Sequence, residues 1–214
     1  MKLAVGKAKD GSRAAYVRGR IAEARGELDE ARKLYKKAAS DPGVRIRARV
    51  RLGALALREG DSARAVQLLE QAHERAPADP ELVPLFVRAL LEDGEEDRAD
   101  KVVRTALGRR PDAPAFRMAK ARVDMAQGEV DDALGTLSEL AEDRPEDAGV
   151  HAALGEAAHR AGRRIDAAEA FDQALELDSE HPQALLGRVR VALDALDADA
   201  AEEAIEKAEE AGAD

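Results

Sequence analysis

Residues Ala148 to His181, AGVHAALGEAAHRAGRRIDAAEAFDQALELDSEH, decide how the chain folds. They read as two short amphipathic helices joined by a turn at Gly162, because small and apolar residues recur at helical spacing on either side of it. Gly162 follows His159, Arg160 and Ala161, the place at a helix end where a positive φ is easily accommodated. Arg163 to Asp166 then lead into a second helix, Ala167 to Leu177. Two helices of this size cannot bury a core alone, so the pair needs neighbours.

The neighbours are in the sequence. Steps of 34 residues from Ala167 reach Ala133, Ala99, Ala65 and Ala31 backward and Ala201 forward. The same step from Gly162 gives Gly128, Gly94, Gly60 and Gly26. From Phe171 it gives Leu137, Val103, Leu69, Tyr35 and Ile205, apolar every time. A Gly or Ala at a fixed place on each helix lets the adjoining backbone approach closely, while the larger apolar residue fills the gap beside it.

With its 34-residue period, Leu154-Gly155, Gly162, Ala167, Phe171, Ala174, and Pro77, Pro111 and Pro145 closing repeats, the chain resembles the tetratricopeptide repeat family. The resemblance covers Ser12 to Asp214 without an insertion and implies an all-α, right-handed superhelical solenoid of helix-turn-helix repeats. Six repeats are expected, at 12–45, 46–79, 80–113, 114–147, 148–181 and 182–214, the first opening on Ser12 as the N-cap of its first helix. Residues 1–11 are either the tail of a preceding second helix, since Ala4 is in phase with Ala38, Ala72 and Ala106, or a natural N-terminus.

Composition agrees with helices packed through small side chains. Of the 214 residues 36% are charged and only 2% aromatic, which suits neither a β-sandwich nor a membrane span. MKLAVGKAKDG has no apolar h-region of a secretory signal. With no Cys there are no disulfides and no thiolate metal sites. The balance of Ala, Arg and acids has the look of a bacterial, high-GC coding bias. The expected compartment is the cytoplasm, or the periplasm or envelope if the chain is a piece of a longer protein.

The net charge of −10 is unevenly spread. Residues 1–107 carry 22 Lys and Arg against 18 acids, whereas 108–214 carry 12 against 26. Such a field can orient a partner, or simply keep the protein soluble. Nucleic acid is not expected, because the one basic run, Arg45, Arg47, Arg49 and Arg51, is no extended patch. The turn Gly and in-phase Ala, at this period, also speak against an RNA-binding helical repeat.

Three places depart from the pattern. Repeat three opens on Asp79-Pro80-Glu81, with Pro84 still in the first turn. In repeat four Lys120 and Asp124 stand where apolar residues are usual, and Leu140 replaces the small Ala. Repeat six has Leu196 at the turn and an acidic second helix with Glu202, Glu203, Glu206, Glu209 and Glu210, as suits a polar end cap.

No constellation for catalysis is present. HExxH, a Gly-rich phosphate loop and GxSxG are all missing, and His151 and His159 are too far apart along one helix to share a metal. His73 and His181 are expected at the surface. The chain is therefore expected not to be an enzyme and to need no cofactor.

Binding is what remains. The resemblance implies that first helices line a concave groove, and the spacing of one helix face selects Arg13, Tyr16 and Arg20 in repeat one. Repeats two and three add Arg47, Val50, Leu57, Arg58, Arg88 and Leu91, and repeats four and five add Met118, Arg122, Met125, His159 and Arg160. Arginine forks suit carboxylates, and Met and Leu make adaptable apolar contacts. The expected partner is a protein or peptide with acidic and apolar residues. The competing reading is that Glu23, Glu92 and Asp194 already neutralise these arginines.

The family's clamp for the C-termini of heat-shock chaperones uses Lys and Asn side chains. The matching places here carry Tyr16, Arg20, Val50, Ala54 and Leu85, and the chain has no Asn. The function expected is that of a scaffold or adaptor; the alternatives are a regulatory or presenting domain of a larger protein, or a homo-oligomer formed through the end helices.

Overall fold

The computed structural model describes residues 2–212, with side chains from Gly11 onward. Among the described residues there are twelve α-helices and no strand. In chain order they are α1 (Lys2–Ala24), α2 (Leu28–Ala38), α3 (Arg45–Arg58), α4 (Ser62–His73), α5 (Leu82–Glu92) and α6 (Glu96–Arg109). These are followed by α7 (Pro114–Ala126), α8 (Val130–Asp143), α9 (Ala148–Arg160), α10 (Arg164–Leu177), α11 (Pro182–Asp194) and α12 (Ala198–Glu210). The fold is an all-α helical repeat. The chain forms two compact units, residues 1–119 and 120–214.

In the first unit α1 packs on α2, α3 on α4 and α5 on α6, while α2 on α3 and α4 on α5 join successive pairs. The first helices α3 and α5 also touch directly. The second unit repeats the scheme: α9 packs on α10 and α11 on α12, α8 meets α9, α10 meets α11, and α9 touches α11.

The 34-residue step is the spacing of the core. Ala31, Ala65, Ala99, Ala133 and Ala167 are each completely buried, as are Tyr35, Leu69, Val103 and Leu137. The small residues are small because something is pressed on them. A Cβ on Gly19 would lie 2.7 Å from the Tyr35 ring, one on Gly53 2.6 Å from Leu69, and one on Gly155 2.7 Å from Phe171. Phe171 is pressed on Gly187 as well, so one ring fills the space between its own first helix and the next.

The turns follow the glycines. Gly26, Gly60, Gly94, Gly128 and Gly162 all have φ between +73° and +80°, a region other residues rarely enter. Capping also follows the sequence: Asp61 accepts the Arg64 N–H, Asp147 that of Val150 and Asp197 that of Ala200. Asp79 accepts the Glu81 and Leu82 N–H groups at the start of α5, with Pro84 in the first turn.

Four details differ from the sequence reading. Ser12 is not an N-cap but lies buried inside α1, its hydroxyl 3.3 Å from that of Ser40, because no residue upstream is a strong enough breaker to stop the helix. The second helix of the fifth repeat starts at Arg164, not Ala167. His73 is half-buried rather than superficial, its ring 5.2 Å from that of Phe86 on α5 and its Nδ1 buried without a partner. Burial, with Arg109 nearby, lowers its pKa. His181 caps α11, its Nδ1 accepting the Ala184 N–H at 3.4 Å.

Repeat four keeps its polar pair inside. Asp124 is 2% exposed and ion-paired with Lys120 one turn earlier on α7. Burial raises the Asp124 carboxyl above its ordinary pKa despite that Lys.

Candidate functional site

In the first unit the face selected from the sequence is built on α1, α3 and α5, with Met118 on α7. Tyr16 is its centre. Its ring lies 5.8 Å from that of Tyr35 on α2, and the Arg47 guanidinium of α3 sits 5.9 Å over it. The buried Tyr35 hydroxyl donates to Glu23 Oε2 at 2.5 Å. Burial, then the Glu23 bond and charge, push the Tyr35 phenol well above its ordinary pKa, so it stays a donor. Arg20 is exposed, and its hydrogen bond with Tyr16, despite slight desolvation, raises its already high pKa.

The cations of this face divide into two groups. Arg88 is committed, its Nε donating to Glu92 Oε1 at 2.6 Å. Arg51, half-buried between the others, lies 4.0 Å from Glu81, and its Nε is buried without an acceptor. Arg13, Arg20, Arg47 and Arg58 are exposed and form no ion pair with a carboxylate among the described residues. Glu23 is engaged by Tyr35 rather than by an arginine.

Two apolar candidates of this face are not available to a ligand. Val50 is 4% and Leu57 5% exposed, because α3 lies against both α4 and α5 and its stripe is covered. They support the face from behind. Leu91 and Met118 are half-buried and keep some surface.

In the second unit the corresponding residues neutralise one another. Glu156 on α9 accepts from Arg160 Nε at 3.0 Å and from Arg190 Nη2 on α11 at 2.5 Å. Burial pushes the Glu156 carboxyl up, but the two guanidinium groups outweigh it and hold the pKa below the ordinary value. His159 Nε2 is 2.8 Å from Asp194. Arg122 and Met125 are half-buried. The same helix-face spacing includes Glu156 on α9 and Arg190 on α11, and a glutamate and an arginine 34 residues apart in adjacent repeats are in register to pair. Arg51 is not on the face that spacing selects, since its position in the other repeats is apolar or small.

Among the described residues no group of three His, Asp or Glu is placed to hold a metal ion, and no helix is long and apolar enough to cross a membrane. What the first unit offers is a rim of aromatic surface and available guanidinium groups, chemistry suited to carboxylates next to apolar side chains.

Comparison with known proteins gives a consistent result. A tetratricopeptide repeat model matches residues 22–83, 56–123 and 90–157, and a second model with the same description matches 155–214. No curated protein sequence matches significantly. Among solved structures, a thermophilic TPR protein of Thermus thermophilus is 24% identical, with 77% of this chain and 90% of that one covered and a TM-score of 0.70. A tetratricopeptide repeat protein of Parabacteroides merdae is 16% identical, covering 94% and 78%, with a TM-score of 0.83. YrrB, a TPR protein with an unusual peptide-binding site, is 18% identical, covering 86% and 95%, with a TM-score of 0.55.

Proposed function

The chain belongs to the tetratricopeptide repeat family, whose members generally mediate protein–protein interactions, and from that premise we propose that it is a scaffold that captures an acidic and apolar segment of a partner protein on its first unit. The observation that carries this reading is that Arg13, Arg20, Arg47 and Arg58 are exposed with no carboxylate partner among the described residues, Arg47 lying over the Tyr16 ring. A guanidinium that already holds a neighbour's carboxylate must release it before binding another, whereas these four need not. The segment lies extended or helical across α1, α3 and α5, its acids on the arginines and its apolar side chains on Tyr16 and Leu91. The likeness to a peptide-binding TPR protein supports the reading. The second unit, where Glu156 occupies Arg160 and Arg190 and Asp194 lies against His159, contributes little acid-binding capacity.

The test is selection from a displayed peptide library on immobilised wild type and on Arg20→Glu/Arg47→Glu/Arg58→Glu. Wild type should enrich sequences combining acids with Leu, Met or aromatics. Each reversal alone should weaken the selected peptide about tenfold, with helicity and melting unchanged since all three side chains are exposed. Identical peptides enriched on both proteins would move the site off this face.

A further inference from the structure

We propose that the protein assembles head to tail: α12 of one copy docks on α1 of the next and rebuilds the junction found between successive repeats inside the chain. This goes beyond the peptide-binding reading and uses a different surface.

The two ends carry the two halves of one interface. Ile205 on α12 is 38% exposed, yet the in-phase Tyr35, Leu69, Val103 and Leu137 are fully buried and Phe171 is 1% exposed. On α1, Ala14 is exposed and Ile21 is 47% exposed. The residues in phase with Ala14, from Ala48 to Ala184, are completely buried, and those in phase with Ile21, from Leu55 to Val191, are at most 5% exposed. Between them lies Val17, 56% exposed, in phase with Gly187, on which the Phe171 ring of the preceding repeat is pressed. The step that places Phe171 on Gly187 places Ile205 on Val17.

The charges match by the same step. Inside the chain, Arg188 Nε is 2.7 Å from Asp172 of the preceding repeat, and Arg32 is ion-paired with Glu59 of the following one. In the junction between copies these positions are Arg18 against Glu206 and Glu202 against Arg25. Both pairs are oppositely charged, the second with its polarity reversed. All four side chains are exposed and none has a charged partner among the described residues. The helices as a whole agree, since α1 has six Lys and Arg against two acids and α12 six acids against one Lys. A plain polar cap requires neither the exposed Ile205 nor a complementary basic end.

A heterologous contact of this kind adds copies one by one. Sedimentation at low salt should give a mass that rises with concentration above the 22.9 kDa of one chain, and added salt should lower it. Val17→Glu and Ile205→Glu, which change exposed residues and leave helicity intact, should each be monomeric. Mixed, they leave one sound end apiece and should form a dimer of twice 22.9 kDa and nothing larger. Reversing Arg18 or Glu206 singly should weaken association about tenfold, and reversing both should restore it. Wild type monomeric up to millimolar concentration would overturn the proposal in favour of a plain cap or of another occupant for α1. So would assembly abolished by Val17→Glu but untouched by Ile205→Glu, which marks a symmetric contact, or a mixture that stays monomeric.

Discussion

At Leu196 the backbone turns with φ of 56°, in the left-handed region that glycine occupies at the five equivalent turns, and the residue is 92% exposed. A leucine there gains nothing from burial and bears a left-handed conformation that costs a non-glycine residue roughly 1–2 kcal/mol. Leu196→Gly should therefore stabilise the protein. Part of the gain is returned through the greater freedom of glycine in the unfolded chain, leaving about 1 kcal/mol, readable as a higher urea midpoint at unchanged slope. A lower midpoint would mean that the leucine contributes contacts its exposure does not reveal. The departure at this position was legible in the sequence, since every other turn has Gly, but not its conformation: a repeat can lengthen a loop instead. Asp124 was half legible in the same way. Its departure from the apolar pattern was visible, while its burial and its pairing with Lys120, one turn earlier, are set by how α7 packs.

The helices were legible because their spacing is repeated, and some of their limits were legible from a cap or a turn glycine, as at Asp61 and at the end of α9 before Gly162, though not at the start of α10. Where punctuation is weak the reading failed, as at Ser12 inside α1. The face of first helices was legible only in part. Spacing along one helix says which residues share a side, but the contact of α3 with α5 decides how much of that side is open, and it buries Val50 and Leu57. Between α9 and α11 the same contact brings Arg190 to Glu156, already held by Arg160. This pairing fixes a pH dependence. Because the folded-state Glu156 carboxyl is more acidic than the ordinary 4.5, its stabilising contribution is complete above that value and is lost as pH falls through the folded pKa. Glu156→Gln should lower stability at neutral pH by about 1 kcal/mol, the scale of a half-screened charge network. The difference between the two proteins should disappear in acid, as followed by urea unfolding from pH 7 to pH 3. A constant difference across that range would assign the loss to packing rather than charge.

Across the molecule, stability in a repeat array is a sum of terms for each repeat and for each contact between neighbours, so a residue serving two repeats reports on both. Phe171 is such a residue, pressed on Gly155 of its own repeat and on Gly187 of the next. In the full chain Phe171→Ala should cost about 3–5 kcal/mol, as for other buried aromatic rings. If residues 182–214 are removed, α10 loses its contact with α11 and one side of the ring meets water. The shortened chain should remain helical and melt earlier. In it, Phe171→Ala should cost roughly half as much, since only the contact with Gly155 remains to be lost. The four unfolding curves form a double-mutant cycle whose coupling energy measures the junction between repeats five and six. An equal cost in both backgrounds would mean that the ring stabilises its own helix pair alone. The junction would then rest on the flanking residues, among them the Asp172–Arg188 ion pair, whose removal in the full chain would have to reproduce the effect of the truncation.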